Sequence, residues 1–211
     1  MSAANRNNNK TLSRPRRKLP QRKLFVIVGE GELTEQEYIG LFSASGTYTI
    51  AYTPPRGHHG GDAKSLVKEM RRQKGNHAQS TKPAPTEYWI IADAEEENKN
   101  HNLQPLFDWV QEDENNHLAI TYPQFENWLL LHYQPNMGST NPVRDLAKHI
   151  PGYGKHKKSI GKYVTDEQIR IALQNAKSAG VEVTDRPSSM TEIAQGRAYY
   201  TSVPCLVRRL I

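Results

Sequence analysis

"LFVIVGEGELTEQEYIGLF" (Leu24–Phe42) decides the fold. Its first five residues form a continuous apolar run rich in β-branched side chains. That is the signature of a strand buried on both faces, as in a parallel sheet. The run stops at Gly29-Glu30-Gly31, a tight turn. Thr34 followed by Glu37 has the spacing of a capping box, and Tyr38, Leu41 and Phe42 then share one helical face. Strand, turn and amphipathic helix in this order are the first half of a βαβ unit.

The same alternation continues. "TYTIAYT" (Thr47–Thr53) reads as a second strand. Asp62 can cap a helix carrying Leu66, Val67 and Met70, and the polar stretch 75–86 reads as a surface loop. "YWIIA" (Tyr88–Ala92) is a second continuous apolar strand. Leu103, Leu106, Phe107 and Val110 recur at helical spacing. "HLAITY" (His117–Tyr122) is a fourth strand, and "FENWLLLHY" (Phe125–Tyr133) a short buried helix. The pattern predicts an α/β domain over 23–134 with a mostly parallel sheet flanked by helices. Residues 135–211 predict a C-terminal helical extension packed on that core. It holds a short helix opened by Asn141-Pro142, a longer one from about Asp166 to Ala179 ending at Gly180, and a last one capped by Ser189 and Glu192. Trp89, Trp109 and Trp128 fit core packing better than a base-stacking platform.

Charge is distributed unevenly. Residues 1–23 hold eight of the 28 Lys and Arg and no acid, so 20 basic residues face 22 acidic ones in the remainder. Residues 1–22 therefore read as a basic disordered arm, too polar to fold alone. Arg16, Arg17 and Lys18 are its candidates for phosphate contacts, against the plainer reading of a solubilising leader. A second basic cluster, Lys155, Lys157, Lys158 and Lys162, offers the same choice between nucleic-acid backbone contact and solvated loop. No apolar run approaches the roughly 20 residues that cross a bilayer, and no signal-peptide core is present. Cys205 is the single cysteine. It excludes an internal disulfide and a cysteine-rich zinc site, and the expected location is the reducing cytoplasm.

Chemistry concentrates at two strand ends. "YWIIADAEEE" (Tyr88–Glu97) delivers Asp93, Glu95 and Glu97 at alternate positions, which share one side of an extended segment. Such acids can hold Mg²⁺, or merely favour the start of the next helix through its dipole. Glu30 sits between two glycines beyond the other core strand, where Gly31 would permit close ligand approach. In parallel sheets ligands gather beyond the carboxyl ends of strands. Glu126 and His132 are accessory candidates. Glu126 falls beside a strand end. His132 follows "WLLL", where a hydrogen-bonded core histidine is the commoner role. His58 and His59, adjacent in a glycine loop, suit a phosphate contact or no role.

"VIVGEGELTEQEY", "GGDAKSLVKEM", "YWIIADAEEE" and "YPQFENWLLLHY" resemble the successive motifs of RloB-like proteins. The resemblance covers about residues 23–133, with weaker echoes in "PGYGKHKKSIGK" and "RPSSMTEI". It implies a Toprim fold and a place in bacterial restriction or phage-defence loci, including abortive infection, often beside an ATPase. It further implies a glutamate after the first strand, here Glu30, and an acid series after a later one. Asp93 and Glu95 fill that series, with Glu97 a third candidate. Glu95 stands where an Asp is usual, and Ala94 replaces a residue that is often basic.

The expectation is a Mg²⁺-dependent Toprim nuclease hydrolysing phosphodiester bonds in DNA or RNA, with Mn²⁺ as substitute cation. Glu30, Asp93 and Glu95 are its catalytic candidates, and the same three with Glu97 its metal ligands. The competing expectation is a non-catalytic effector that binds nucleic acid or a partner ATPase. A primase-like transferase is disfavoured by the absence of a template-handling module. Oligomeric state and the choice between DNA and RNA are not legible.

Overall fold

The structure is a computed structural model describing residues 22–31, 33–54, 62–78, 86–94, 102–154 and 160–211. Its centre is a five-stranded sheet in the order β2-β1-β3-β4-β5. β1 (Lys23–Gly29), β2 (Tyr48–Thr53), β3 (Thr86–Asp93) and β4 (Asn116–Tyr122) run parallel. β5 (Tyr200–Thr201) pairs antiparallel with β4. Residues 135–211 are thus not purely helical: they close one edge of the sheet.

Successive side chains of β1 point to opposite faces, and both faces are covered. Phe25 and Ile27 join Trp89 and Ile91 in one core. That core is packed by α1 (Thr34–Gly40), α4 (Phe125–Leu130), α6 (Asp166–Ser178) and α8 (Val203–Leu210). Val26 and Val28 join Ile90 and Ala92 in the other core, under α2 (Ala63–Ala78) and α3 (Gln104–Gln111). Two-sided burial is why β1 and β3 are uninterrupted apolar runs. The three tryptophans are all fully buried. Among the described residues, no helix is long and apolar enough to cross a membrane.

Two local expectations fail for tertiary reasons. The capping box at Thr34 does not form: Leu33 is the N-cap and no side chain caps it. Glu37 instead accepts the Ile160 N–H at 3.1 Å, across the chain. The loop expected from residue 75 begins later, because α2 runs through Gly75 to Ala78. A mid-helix glycine costs about 1 kcal/mol. Here the preceding Lys74 ties the helix down, donating to Asp113 at 2.8 Å and Asn116 at 2.9 Å and lying over the Tyr88 ring. Elsewhere the end signals hold. Asp62 accepts from Ser65 N–H at the start of α2, and Asn141 caps α5 (Pro142–Leu146). Thr165 and Gln168 form a complete capping box on α6. Ser189 caps α7 (Met190–Ala194), while Glu192 turns to the Ser188 N–H and hydroxyl.

Candidate functional site

The chain leaves β1 through α1 to reach β2 on one side. It then returns through α2 to place β3 on the other side of β1. β1 and β3 are therefore the neighbours at which strand order reverses. The connections beyond their carboxyl ends run to opposite faces and leave a crevice, the usual ligand position in open α/β sheets. Glu30 follows β1 and Asp93 ends β3.

The two residues are tied together. Glu30 N–H donates to Ile91 O at 3.2 Å, extending the β1–β3 ladder by one residue. The Glu30 Oε2 then accepts the Asp93 N–H at 3.1 Å. Asp93 Oδ1 accepts the Phe125 N–H at 2.8 Å, at the start of α4. A carboxylate from each strand end is thus anchored through one oxygen to backbone.

Two clefts flank this pair. On the α2–α3 side a cavity of about 210 Å³ is lined by Glu30, Asp93, Asp62, Lys64 and Asn102 among others. On the α1–α4 side a cavity of about 330 Å³ is lined by Glu30, Asp93, Thr34, Glu35 and Glu126 among others. Lys64 gives the first cleft a positive charge, whereas the second gathers carboxylates. Glu35 is 5% exposed, and burial pushes its carboxyl up to about 7. The charges of Glu126 and Glu30 add to that rise, against the Gly31 N–H it accepts at 3.1 Å. Asp93 is raised well above the usual carboxylate range, first by burial and then by Glu35, Glu30 and Glu126.

The other end of the sheet shows the contrast. Glu87, at the start of β3, is also buried, but it contacts Lys23 and accepts from Arg209 at 2.8 Å and Trp89 Nε1 at 3.1 Å. Burial alone would raise it; those partners hold it below the usual range. Acids at one end of the strands have cations. At the other end, Glu35 and Asp93 are raised further by neighbouring acids.

A Cβ on either glycine of the turn would crowd a neighbouring side chain. A Cβ on Gly29 would lie 2.8 Å from Tyr52 Cζ, because the Tyr52 phenol crosses that position to donate to Gly31 O at 2.7 Å. A Cβ on Gly31 would lie 2.5 Å from the Glu35 carboxyl carbon. The space beside Gly31 is thus taken by the Glu35 carboxylate. Gly29→Ala should cost about 1–3 kcal/mol through overpacking, read as a lower denaturant midpoint. In a Tyr52→Ala background that penalty should disappear; a penalty of unchanged size would show that the ring is not its cause.

A family model for RloB-like proteins matches residues 25–210. The chain belongs to the RloB-like family. The match extends past residue 135 to 210, consistent with β5 and α8 completing the sheet and its core. Neither the comparison with curated proteins nor that with solved structures returned a match.

Of the candidate residues of this RloB-like chain, the structure brings together Glu30, Asp93 and Glu126. Glu95 and Glu97 lie outside the described residues, as do Arg16, Arg17, Lys18, His58, His59, Lys155, Lys157 and Lys158. Lys162 is exposed at the end of a 3-10 turn, Ile160–Lys162. His132 is a core residue, 2% exposed. Its Nδ1 donates to Leu129 O at 3.1 Å, leaving Nε2 to accept from Tyr38 O–H at 3.2 Å, and burial holds its pKa down at about 4. The sequence reading passed over Glu35. The legible signal was its position three residues before Tyr38, on the buried face of α1.

Among the described residues, no group of three or more His, Cys, Asp or Glu side chains is arranged to hold a metal ion. Mg²⁺ needs less: it is commonly held by one or two carboxylates, with water and substrate phosphate completing its shell. The all-oxygen donor set of Glu30 and Asp93 suits that hard cation.

Proposed function

We propose that this RloB-like protein is a cytoplasmic, Mg²⁺-dependent nuclease of the Toprim type, hydrolysing phosphodiester bonds in DNA or RNA during anti-phage defence. The observation that carries the reading is the meeting of Glu30 and Asp93 at the strand-order reversal between β1 and β3. Glu30 and Asp93, with Glu95 and Glu97 beyond the described residues, would hold Mg²⁺, or Mn²⁺ in its place. A bound ion of this kind neutralises charge on a phosphodiester and activates water.

The chain's own residues have distinct tasks in this reading. Backbone N–H groups fix the Glu30 and Asp93 carboxylates, so little reorganisation is needed at the reacting phosphate. Glu30 would serve as ligand or as proton acceptor from water. Lys64 faces the same crevice and would attract the phosphate backbone. The basic arm and Lys155–Lys162 would lengthen the backbone contact. A partner ATPase would control when the site acts.

One observation favours a second reading, a non-catalytic effector. The Glu30–Asp93 and Asp93–Phe125 hydrogen bonds brace β1, β3 and α4, which gives the carboxylates a structural use. Cleavage of single- and double-stranded DNA and RNA with Mg²⁺ separates the two, comparing wild type with Glu30→Gln and Asp93→Asn. Loss in both variants is expected. Equal cleavage in all three would overturn the nuclease reading. An inert wild type that co-purifies with a stable partner would favour the effector.

A further inference from the structure

The two edges of the sheet are finished differently. At the β4 edge, β5 is only two residues long, and the chain just before it covers the remainder. Leu118 N–H donates to Asp185 O at 2.8 Å, and the Arg186 guanidinium donates to Asn116 O at 2.6 Å and Asp113 O at 2.8 Å. At the other edge stands β2, paired with β1 alone. Among the described residues, no segment pairs with its outer side. An open edge presents a row of unpaired N–H and C=O groups, and native edges are usually blunted by lysine, proline, a bulge or shortness. β2 uses none of these devices. Tyr48–Thr53 has the usual length of a strand, holds no charge and no proline, and keeps an unbroken register with β1.

The edge is also held in place. The Tyr48 ring meets Phe25 edge-on, with centroids 5.3 Å apart, and its hydroxyl lies 2.9 Å from Phe42 O and 2.6 Å from Leu210 O. Tyr52 O–H is fixed on Gly31 O. Little ordering is left for a partner strand to impose. The apolar surface continues past Tyr48 into a cleft of about 430 Å³ lined by Leu41, Phe42, Leu210 and Ile211 among others, and Ile211 is 67% exposed.

We infer that β2 is a homodimer interface: two copies pair their β2 strands antiparallel about Ile50, joining two five-stranded sheets into one. The strand matches itself. "YTIAY" (Tyr48–Tyr52) reads nearly the same in both directions, as aromatic, small, isoleucine, small, aromatic. A two-fold axis perpendicular to the sheet keeps each face on its own side, and directly opposed residues of an antiparallel pair share a face. The pairing must therefore be centred on a residue. Centred on Ile50, it sets Tyr48 against Tyr52 of the second copy, Thr49 against Ala51, and Ile50 against itself. Centred on Ala51, it would set Tyr48 against Pro54, which has no N–H to give. In the Ile50 register, aromatic and β-branched side chains meet across the seam and no like charges do. A foreign extended peptide would gain the main-chain bonds without this side-chain match. The inference depends neither on a metal ion nor on cleavage.

The test is sedimentation equilibrium of the full chain over a concentration series, with thermal melts in parallel. Wild type should be a dimer that dissociates on dilution. Thr49→Lys combined with Ala51→Lys sets like charges directly opposite each other across the two-fold axis. That variant should be monomeric where wild type is dimeric. Thr49→Lys combined with Ala51→Glu sets opposite charges at the same positions, and the dimer should return. A wild type that stays monomeric throughout overturns the inference, including one that takes a foreign extended peptide on β2. A dimer that survives the two lysines overturns it too, because its interface lies elsewhere. A lysine–glutamate variant that stays monomeric overturns the Ile50 register and with it the self-pairing. Should the double-lysine variant fail to fold, amide exchange of wild type decides: β2 amides should exchange more slowly in the dimer than after dilution, and equal exchange overturns the inference.

Discussion

Asp93→Asn is expected to remove cleavage while raising the melting temperature of the metal-free protein. The two effects share one cause. Asp93 is enclosed beside Glu35, Glu30 and Glu126, and burial with those three charges disfavours its ionised form. Asparagine keeps an oxygen for the Phe125 N–H, so the β3–α4 brace survives. It removes one of four clustered carboxylate charges, so repulsion in the folded state falls. The proposed reaction needs that charge. Loss of one group that stabilises transition-state charge costs about 10²–10³ in rate, and the same range is expected here. Activity assays and thermal melts in a chelator should thus move in opposite directions. A variant that loses both activity and stability would mean that Asp93 is chiefly a structural ligand to α4.

How much of this was readable beforehand depends on the range of the interactions. β1 and β3 were legible because two-sided burial forces continuous apolar runs, visible in any five-residue window. Their carboxyl-terminal acids followed directly, and the parallel sheet put both at one edge. His132 as a core residue was legible too, since it follows three consecutive leucines. β5 was not: two residues carry no periodicity, and Tyr200–Thr201 is held by what it meets. Thr201 and Thr121 pair through their hydroxyls at 2.9 Å, and Ser202 accepts from Ile120 N–H and donates to Leu118 O.

The failed capping box at Thr34 has the same explanation. Thr-x-x-Glu is a local signal, but both side chains found distant partners. Thr34 lies by Tyr153 and Glu37 binds Ile160, linking α1 to a segment more than a hundred residues away. Tyr153 was unreadable for the converse reason. It reaches Glu126 on α4 from a turn marked in the sequence by a pair of glycines. Sequence periodicity located the sheet edge where the acids gather. The side chains that complete the cleft come from long-range packing that periodicity does not encode.

Glu35 provides the second large effect, a pH dependence of stability. Its folded pKa is raised from 4.5 to about 7, chiefly by burial. The folded state therefore binds this proton more tightly than the unfolded state does. The resulting stabilisation is fully present below pH 4.5 and is lost as pH rises through about 7. A shift of this size corresponds to stability on the order of 3 kcal/mol. Carboxylates with depressed values, Glu87 and Asp185 among them, act in the opposite direction as pH falls, so the wild-type profile alone mixes both signs. Glu35→Gln isolates the one group. Glutamine can still accept the Gly31 N–H, and it carries no charge at any pH. In chelator at pH 8 the variant should melt roughly 6–12 °C above wild type, at 2–4 °C per kcal/mol for a chain of this size. At pH 4 the two should coincide. Added Mg²⁺ should narrow the gap at pH 8, because a bound cation stabilises the ionised cluster that only the wild type retains in full. An offset that is the same at pH 4 and pH 8 would show that Glu35 is already ionised at no cost in the folded protein, and that the cleft is better solvated than its packing implies.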